Sequence, residues 1–201
     1  MEVVTTTLEM TAPDQLRAGR SLPPGARIEL VEQPTPELLR WLYAVVGGPW
    51  TWTDRLAWPR ERWATEIAEP GSEVWLLTTR GAPAGYVQLG ATDEGGSSHV
   101  EVRYFGLVEW AIGHGLGGPL LADGLRQAWT LAERHPVPPV SRVWVHTCSL
   151  DGPAAIGNYE ARGLRVVDRV TTTEEVPPEP LGAWVSAGGP PVGARSADQR
   201  T

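Results

Sequence analysis

Residues 112–125 read IGHGLGGPLLADGL. Gly113, Gly115, Gly117 and Gly118 lie close together there and lead into an apolar run at helical spacing. A glycine-rich turn that ends in a helix N-terminus brings free backbone N–H groups and the positive end of the helix dipole to one spot. Such a nest can hold a pyrophosphate with no side-chain charge, provided that no Cβ blocks the approach. The alternative is a tight turn that packs a helix on a sheet. The stretch also matches G-x-G-x-x-G through Gly113, Gly115 and Gly118, but its context argues against a dinucleotide fold. The motif follows three meandering strands, and the next strand-like run, RVWVHTCS, offers no acidic residue for a ribose. No lysine follows the glycines, which excludes a Walker-type phosphate loop.

Proton chemistry has its own candidates. In HVEVRYFGLV (99–108), strict alternation puts Glu101, Arg103, Phe105 and Leu107 on one face. Glu101 near a cleft can accept a proton from an amine, directly or through water. The alternative is a solvated strand residue paired with Arg103. Glu109, past the strand end, and His146 are further candidates. Phe105–Gly106–Leu107 suits a β-bulge. His146 and Cys148 share a strand face, but a nucleophilic pair must touch and needs an orienting third group. Four scattered histidines and one cysteine give no metal site. The loop PWTWTDRLAW (49–58) is dense in tryptophan. Trp50, Trp52, Trp58 and Asp54 can form an aromatic, acidic pocket for a cationic amine. They can equally be a cluster that packs two helices together.

These groups need a scaffold, and the periodicity predicts one. Residues 1–10 alternate as an edge strand, and 11–25 form a connector with prolines and glycines. ARIELVEQ (26–33) is a strand. TPELLRWLYAVVGG follows as a helix with Thr35 at the N-cap and Pro36 in the first turn. A second helix starts after Pro59 and stops at Pro70–Gly71. Strands follow at 73–79, 83–91 and 99–108, joined by hairpin-like turns. A long helix spans 115–134, then a strand 141–150. A short helix capped by Asp151 ends at Gly163, and a last strand covers 164–176. From 26 to 176 the order is β-α-α-β-β-β-α-β-α-β, an α/β fold with a mixed sheet. The expected units are an N-terminal strand and connector (1–25), one domain (26–176) and a loose Pro/Gly-rich tail (177–201).

Composition limits the function classes. The chain of 201 residues carries a formal charge of −7, and all 17 basic residues are arginine. An acidic surface disfavours nucleic acid and suits cationic ligands. With no lysine, Schiff-base chemistry is excluded. No apolar run is long enough to span a bilayer, and the N-terminus does not read as a signal peptide. A single cysteine, Cys148, fits a reducing, cytoplasmic setting.

The segment FGLVEWAIGHGLGGPLL is similar to the acetyl-CoA-binding motif of the GNAT superfamily of N-acetyltransferases. That motif is a strand ending in an apolar residue, a short loop, then (Arg/Gln)-x-x-Gly-x-(Gly/Ala). In register, Leu107 ends the strand, Gly115 and Gly117 are the paired glycines, and Ile112 stands in the Arg/Gln slot. PAAIGNYEARGLRV resembles the family's Ala-x-x-x-Tyr-x-x-x-Gly-Phe signature through Ala155, Tyr159, Gly163 and Leu164. The element order is also that of the family.

The resemblance implies a GNAT-like acyl-CoA N-acyltransferase fold that moves an acetyl group from acetyl-CoA to a primary amine of a small molecule. It implies direct attack in a ternary complex, without metal. Strands 99–108 and 141–150 would splay apart. Leu107, Val108, Gly113, His114, Gly115, Leu116, Gly117 and Gly118 would hold the donor. Tyr159 would stand near the CoA sulfur and protonate the leaving thiolate, or else simply pack. Trp52, Asp54 and Trp58 would line the acceptor wall, and a homodimer is compatible. The family's asparagine seven residues before the tyrosine is Gly152 here, with Asp151 and Ser149 as stand-ins. No final strand is evident after 176, and the N-terminal strand can take its place in the sheet.

Overall fold

The computed structural model describes residues 1–189. The part of the expected tail from 190 to 201 lies outside the described residues. The described residues form one seven-stranded sheet, built from β1 (Glu2–Met10), β2 (Ala26–Leu30), β3 (Glu73–Thr79), β4 (Ala82–Asp93), β5 (Ser98–Leu107), β6 (Val140–Cys148) and β7 (Arg165–Thr173). The helices are α1 (Pro36–Gly47), α2 (Arg60–Ala68), α3 (Gly117–Trp129), α4 (Ala155–Ala161) and α5 (Gly182–Ser186). From β2 to β7 the order is the expected one. The long helix is shorter than its apolar pattern: α3 ends at Trp129, and a 3-10 turn, Leu131–Glu133, continues its course.

Local chemistry sets the elements. Thr35 Oγ1 accepts the Leu38 N–H at 3.2 Å, the N-cap that opens α1. Arg80 and Gly81 both have positive φ, 51° and 83°, and so close the tight β3–β4 hairpin. The β4–β5 turn is held by Gly96 N–H donating to Asp93 Oδ1 at 2.8 Å.

The sheet order is β2-β3-β4-β5-β6-β1-β7. The N-terminal strand is therefore not at an edge, as alternation alone suggests. β1 runs antiparallel to both β6 and β7 and fills the sheet between them. Its inward residues explain the position: Val3, Leu8 and Met10 are buried, and Leu8 and Met10 join the core beneath α3. That core unites Leu120, Leu121, Leu125 and Ala128 of α3 with Val87, Leu89, Val100, Val102, Val143 and Val145 of the strands. On the opposite face α1 and α2 bury Leu39, Leu42, Tyr43, Val46 and Trp63 against Val74, Tyr86 and Tyr104. Residues 177–189 are not featureless. They include α5, which packs on α1 and buries Ser186.

The parallel ladder between β5 and β6 runs only from Ser98↔Val140 to Glu101↔Trp144. Beyond it the two strands part, as the resemblance implies. A bulge sits at the parting, but not at Phe105–Gly106–Leu107. Leu89 pairs with Val102 and Gln88 with Tyr104, which leaves Arg103 as the extra residue. Gly106 serves another purpose. A Cβ there would lie 2.5 Å from Val46 Cγ1, so the glycine lets α1 approach the strand.

Because Leu8 is fully buried in the main core, Leu8→Ala should lower stability by about 2–5 kcal/mol. Urea unfolding of the variant measures it, and a loss below ~1 kcal/mol would mean that β1 is peripheral to the fold.

Candidate active site

The parted strands open a cleft of about 720 Å³, within the usual range for ligand sites. Its walls are Phe105 to Leu107 of β5, the turn at Ile112–Gly118, Val145 and His146 of β6, and the loop and helix from Asp151 to Tyr159. Leu107, Gly113, Gly115, Leu116, Gly117 and Gly118 all line it. Gly113 and Gly115 hold φ of 84° and 74°, which L side chains rarely adopt. A Cβ on Gly117 would make only ordinary contact, 3.6 Å from Leu107 Cδ1. The space at the first turn of α3 is therefore open, and the free N–H groups of the helix start face it. Among the described residues, no side chain caps this helix end.

Two residues expected in this group fall outside it. The Val108 N–H donates to Ala84 O at 2.9 Å, so it is spent within the sheet, and Val108 packs toward α1. His114 is exposed and does not line the cleft.

Tyr159 is buried at 5% exposure, lines the cleft and packs edge-on against Phe105. Burial, with a smaller contribution from Asp151, pushes its phenol well above the usual tyrosine range. It is thus a proton-bearing group throughout the physiological range, able to donate but not to act as a base.

A second cavity of about 320 Å³ adjoins the first. Trp50, Trp52, Arg103, Tyr104, His146 and Asp151 line both. Asp54, Arg55, Cys148 and Glu174–Glu175 line only the second. Tyr43 OH donates to Asp54, and the Arg55 guanidinium lies 4.7 Å from the centre of the Tyr104 ring. Trp58 does not line either cavity. It packs 5.3 Å from Trp63 between Arg55 and Arg62, the helix-packing role that its cluster also permitted.

Strict alternation fails on β5 because of the bulge. Glu101 and Arg103 point to the α1/α2 side, where Arg103 pairs with Glu69 at 2.5 Å and lies 3.9 Å from Glu101. Phe105 and Leu107 turn to the α3 side and join its core. Glu101 does not line either cavity, yet its Oε1 is 3.0 Å from Nδ1 of His146, which lines both. That hydrogen bond raises the histidine above its ordinary pKa against the opposing effect of burial. Nδ1 is fixed on the carboxylate, which leaves Nε2 as the other functional nitrogen.

Asp151 holds the junction of the cavities rather than a helix cap. Its Oδ1 accepts from Trp52 Nε1 at 3.0 Å, and Oδ2 accepts from Thr147 Oγ1 at 2.6 Å and Cys148 N–H at 3.0 Å. Ser149 is committed elsewhere, accepting the Val4 N–H of β1 at 3.1 Å. Tyr104 and Asn158 line the site too, and sequence reasoning missed both. Tyr104 sits on a strand whose inward residues read as core, and Asn158 is hidden beside the more conspicuous Tyr159. Among the described residues no cluster of His, Cys, Asp or Glu could hold a metal, and no helix is long and apolar enough to cross a membrane.

Asp151→Asn should cost about 1–3 kcal/mol, because an amide that keeps its oxygen on Thr147 and the Cys148 N–H turns its NH2 toward the Trp52 Nε1–H, donor against donor. Thermal and urea unfolding report the loss, and unchanged stability would deny Asp151 its junction role.

No family model matches the sequence, and no curated protein matches it. Solved structures match the fold. A GCN5-related N-acetyltransferase from Kribbella flavida superposes with a TM-score of 0.55 at 19% identity, over 84% of this chain and 56% of that one. A tandem GNAT protein from the clavulanic acid biosynthesis pathway gives 0.57 at 18%, over 84% and 51%. An aminoglycoside acetyltransferase from an uncultured soil metagenomic sample, crystallised with trehalose, gives 0.53 at 11%, over 69% and 88%. The chain spans little more than half the length of the first two. Its seven-stranded mixed sheet, parted between β5 and β6, has the fold of the GCN5-related N-acetyltransferases.

Proposed function

We propose that the chain is an N-acetyltransferase that moves an acetyl group from acetyl-CoA to a primary amine of a small cationic molecule in a ternary complex. The observation that carries this reading is the meeting of two unlike cavities at one line of residues. The larger has a glycine-rich helix start at one end and a buried phenol at the other. The smaller is aromatic and carries Asp54, Glu174 and Glu175 beside Arg55 and Arg103. They join at Tyr104, His146 and Asp151. An anionic, elongated donor suits the first and a cationic amine suits the second, and a shared boundary is where their reacting atoms would come together. The aminoglycoside acetyltransferase among the fold neighbours is consistent with such an acceptor.

In this reading the backbone N–H groups at the start of α3 receive the donor pyrophosphate, and the parted edge of β5 receives its pantetheine arm. His146, with Nδ1 held by Glu101, takes a proton from the acceptor ammonium at Nε2. The freed amine nitrogen then forms its bond to the thioester carbonyl carbon; as the carbon–sulfur bond breaks, that nitrogen releases its second proton to solvent and becomes the amide N–H. Tyr159 supplies a proton or hydrogen bond to the departing sulfur, and solvent restores it. The products are an amide and free CoA thiol. Glu101 is a positioning residue and Tyr159 the acid.

A thiol-release assay with acetyl-CoA and a panel of primary amines tests the activity. Turnover with at least one cationic amine is expected, and tight CoA binding without turnover on any amine would make the chain a binding module instead. In the same assay Tyr159→Phe should lower kcat by about 10- to 100-fold with the acetyl-CoA KM little changed. Wild-type turnover in the variant would remove the acid role.

The pH profile carries a separate prediction. The base must be neutral, so kcat/KM should rise with pH through the histidine pKa, and that limb should lie above 6.5 because Glu101 stabilises the imidazolium. Glu101→Gln removes the stabilising charge and should move the limb to lower pH. A limb that stays in place would show that His146 is not the titrating base.

A further inference from the structure

Arg55 belongs to the tryptophan-rich loop 49–58 and lines the smaller cavity. Its guanidinium is held by rings rather than by a carboxylate. Cζ lies 4.7 Å from the centre of the Tyr104 ring and 5.1 Å from that of Trp58. Tyr104 is itself fixed, with its hydroxyl donating to the buried Glu66 at 3.3 Å. Among the described residues, the one carboxylate within ion-pair distance of Arg55 is Asp54, 3.8 Å from Nε. Asp54 is largely exposed and already accepts the Tyr43 hydroxyl, so this pair is weak. Arg103, Arg134 and Arg142 are half-buried too, and each reaches a carboxylate closely: Glu69 at 2.5 Å, Glu73 at 2.8 Å and Glu9 at 2.5 Å.

Stacking on rings occupies the faces of a guanidinium and leaves its edge. Two parallel N–H groups on such an edge match the two oxygens of a carboxylate. The Arg55 side chain keeps 29% exposure, so its donors are accessible from the cavity that it lines. His146 lines the same cavity, and the Arg55 charge is near enough to work against protonation of its imidazole. A cavity of about 320 Å³, at the small end of ligand sites, thus holds a positioned cation together with the proposed base. A bare polyamine in it would set an ammonium beside the guanidinium, like charge against like. A ligand that brings both an ammonium and a carboxylate satisfies Arg55 as well as Asp54, Glu174 and Glu175.

We infer that Arg55 reads a carboxylate on the acceptor, so that the acetylated amine belongs to an amino acid or another small amino carboxylate. The inference rests on the acetyl-transfer reading above and deepens it by naming the acceptor class. The carboxylate lies on the Arg55 fork, and the ammonium is turned toward His146. A diamino carboxylate remains net cationic, and its second ammonium suits Glu174 and Glu175. Arg55 touches the acceptor away from the reacting carbonyl and sets specificity.

The experiment compares acceptors with and without the carboxylate in the thiol-release assay: L-lysine against cadaverine, L-ornithine against putrescine, and β-alanine against ethylamine. Wild type, Arg55→Gln and Arg55→Lys are measured. In wild type the carboxylate-bearing member of at least one pair should have a kcat/KM about 10- to 100-fold higher, as for a charge-assisted bidentate contact. Arg55→Gln should bring that ratio to about one to three, chiefly through the acceptor KM. Arg55→Lys keeps a charge over the rings but loses the fork, so it should give an intermediate ratio even if Arg55→Gln does not fold. No preference in wild type, or preference for the decarboxylated members, overturns the inference and leaves acetyl transfer standing. A wild-type preference that both variants retain also overturns it, since that marks Arg55 as a packing residue. If none of the six compounds is turned over, calorimetric titration with them separates the two readings. Binding of a carboxylate-bearing member that the Arg55 variants weaken by about tenfold keeps the carboxylate site and overturns acetyl transfer; absence of such binding overturns both.

Discussion

The end of the ladder at Glu101↔Trp144 governs the rest of this molecule. Two adjacent parallel strands normally satisfy one another along their length. Here the hydrogen bonding between them stops midway, and beyond it β5 keeps only β4 and β6 only β1 as a neighbour. Unpaired backbone in a protein interior is costly unless something takes it up. The parted strands are therefore the weak point of the sheet, and the larger cleft opens there. The bulge at Arg103 belongs to the same event. By adding one residue at the parting, it lets β5 face two ways: Glu101 and Arg103 join the polar network on one side, and Phe105 and Leu107 line the apolar cleft on the other.

Most of the fold was legible because its signals are local. Thr35 before Pro36, the Arg80–Gly81 turn and the apolar stripe of α3 each report on their own few residues, and each is where it was expected. The position of β1 was not legible in the same way. Alternation reports which face of a strand is buried, not which strands flank it, and two-sided pairing leaves no mark on a pattern of side chains. The site followed the same divide. The glycine turn and Tyr159 stood out because residue type alone singles them out. The Glu101–His146 pair did not, because a bulge breaks the period from which strand faces are read, and Glu101 was assigned a face that it shares with Arg103 but not with Phe105.

Several polar side chains in the site do more holding than reacting. Asp151 gathers Trp52, Thr147 and the Cys148 N–H, joining the tryptophan loop to the end of β6. Glu73, buried in β3, gathers Arg134, His135 and Trp75 and fixes the far end of the α3 region. Each carboxylate is fully engaged by donors, which makes its burial tolerable. Only Asp151 of the two lies at the cleft; Glu73 anchors the opposite end of α3.

The insertion of β1 between β6 and β7 also sets the order in which the molecule can be finished. Val4 meets Ser149 across 145 residues of sequence, and Met1 meets Glu174 across 173. Contacts of that separation form late, after the loop-closure entropy of nearly the whole chain has been overcome. Until they form, β6 and β7 each present a bare edge, open to pairing with another chain. The same late step brings Val3, Thr5 and Glu174 to the rim of the smaller cavity. An incompletely folded chain would thus have the larger cleft before the smaller cavity had its rim, and its exposed edges would favour aggregation.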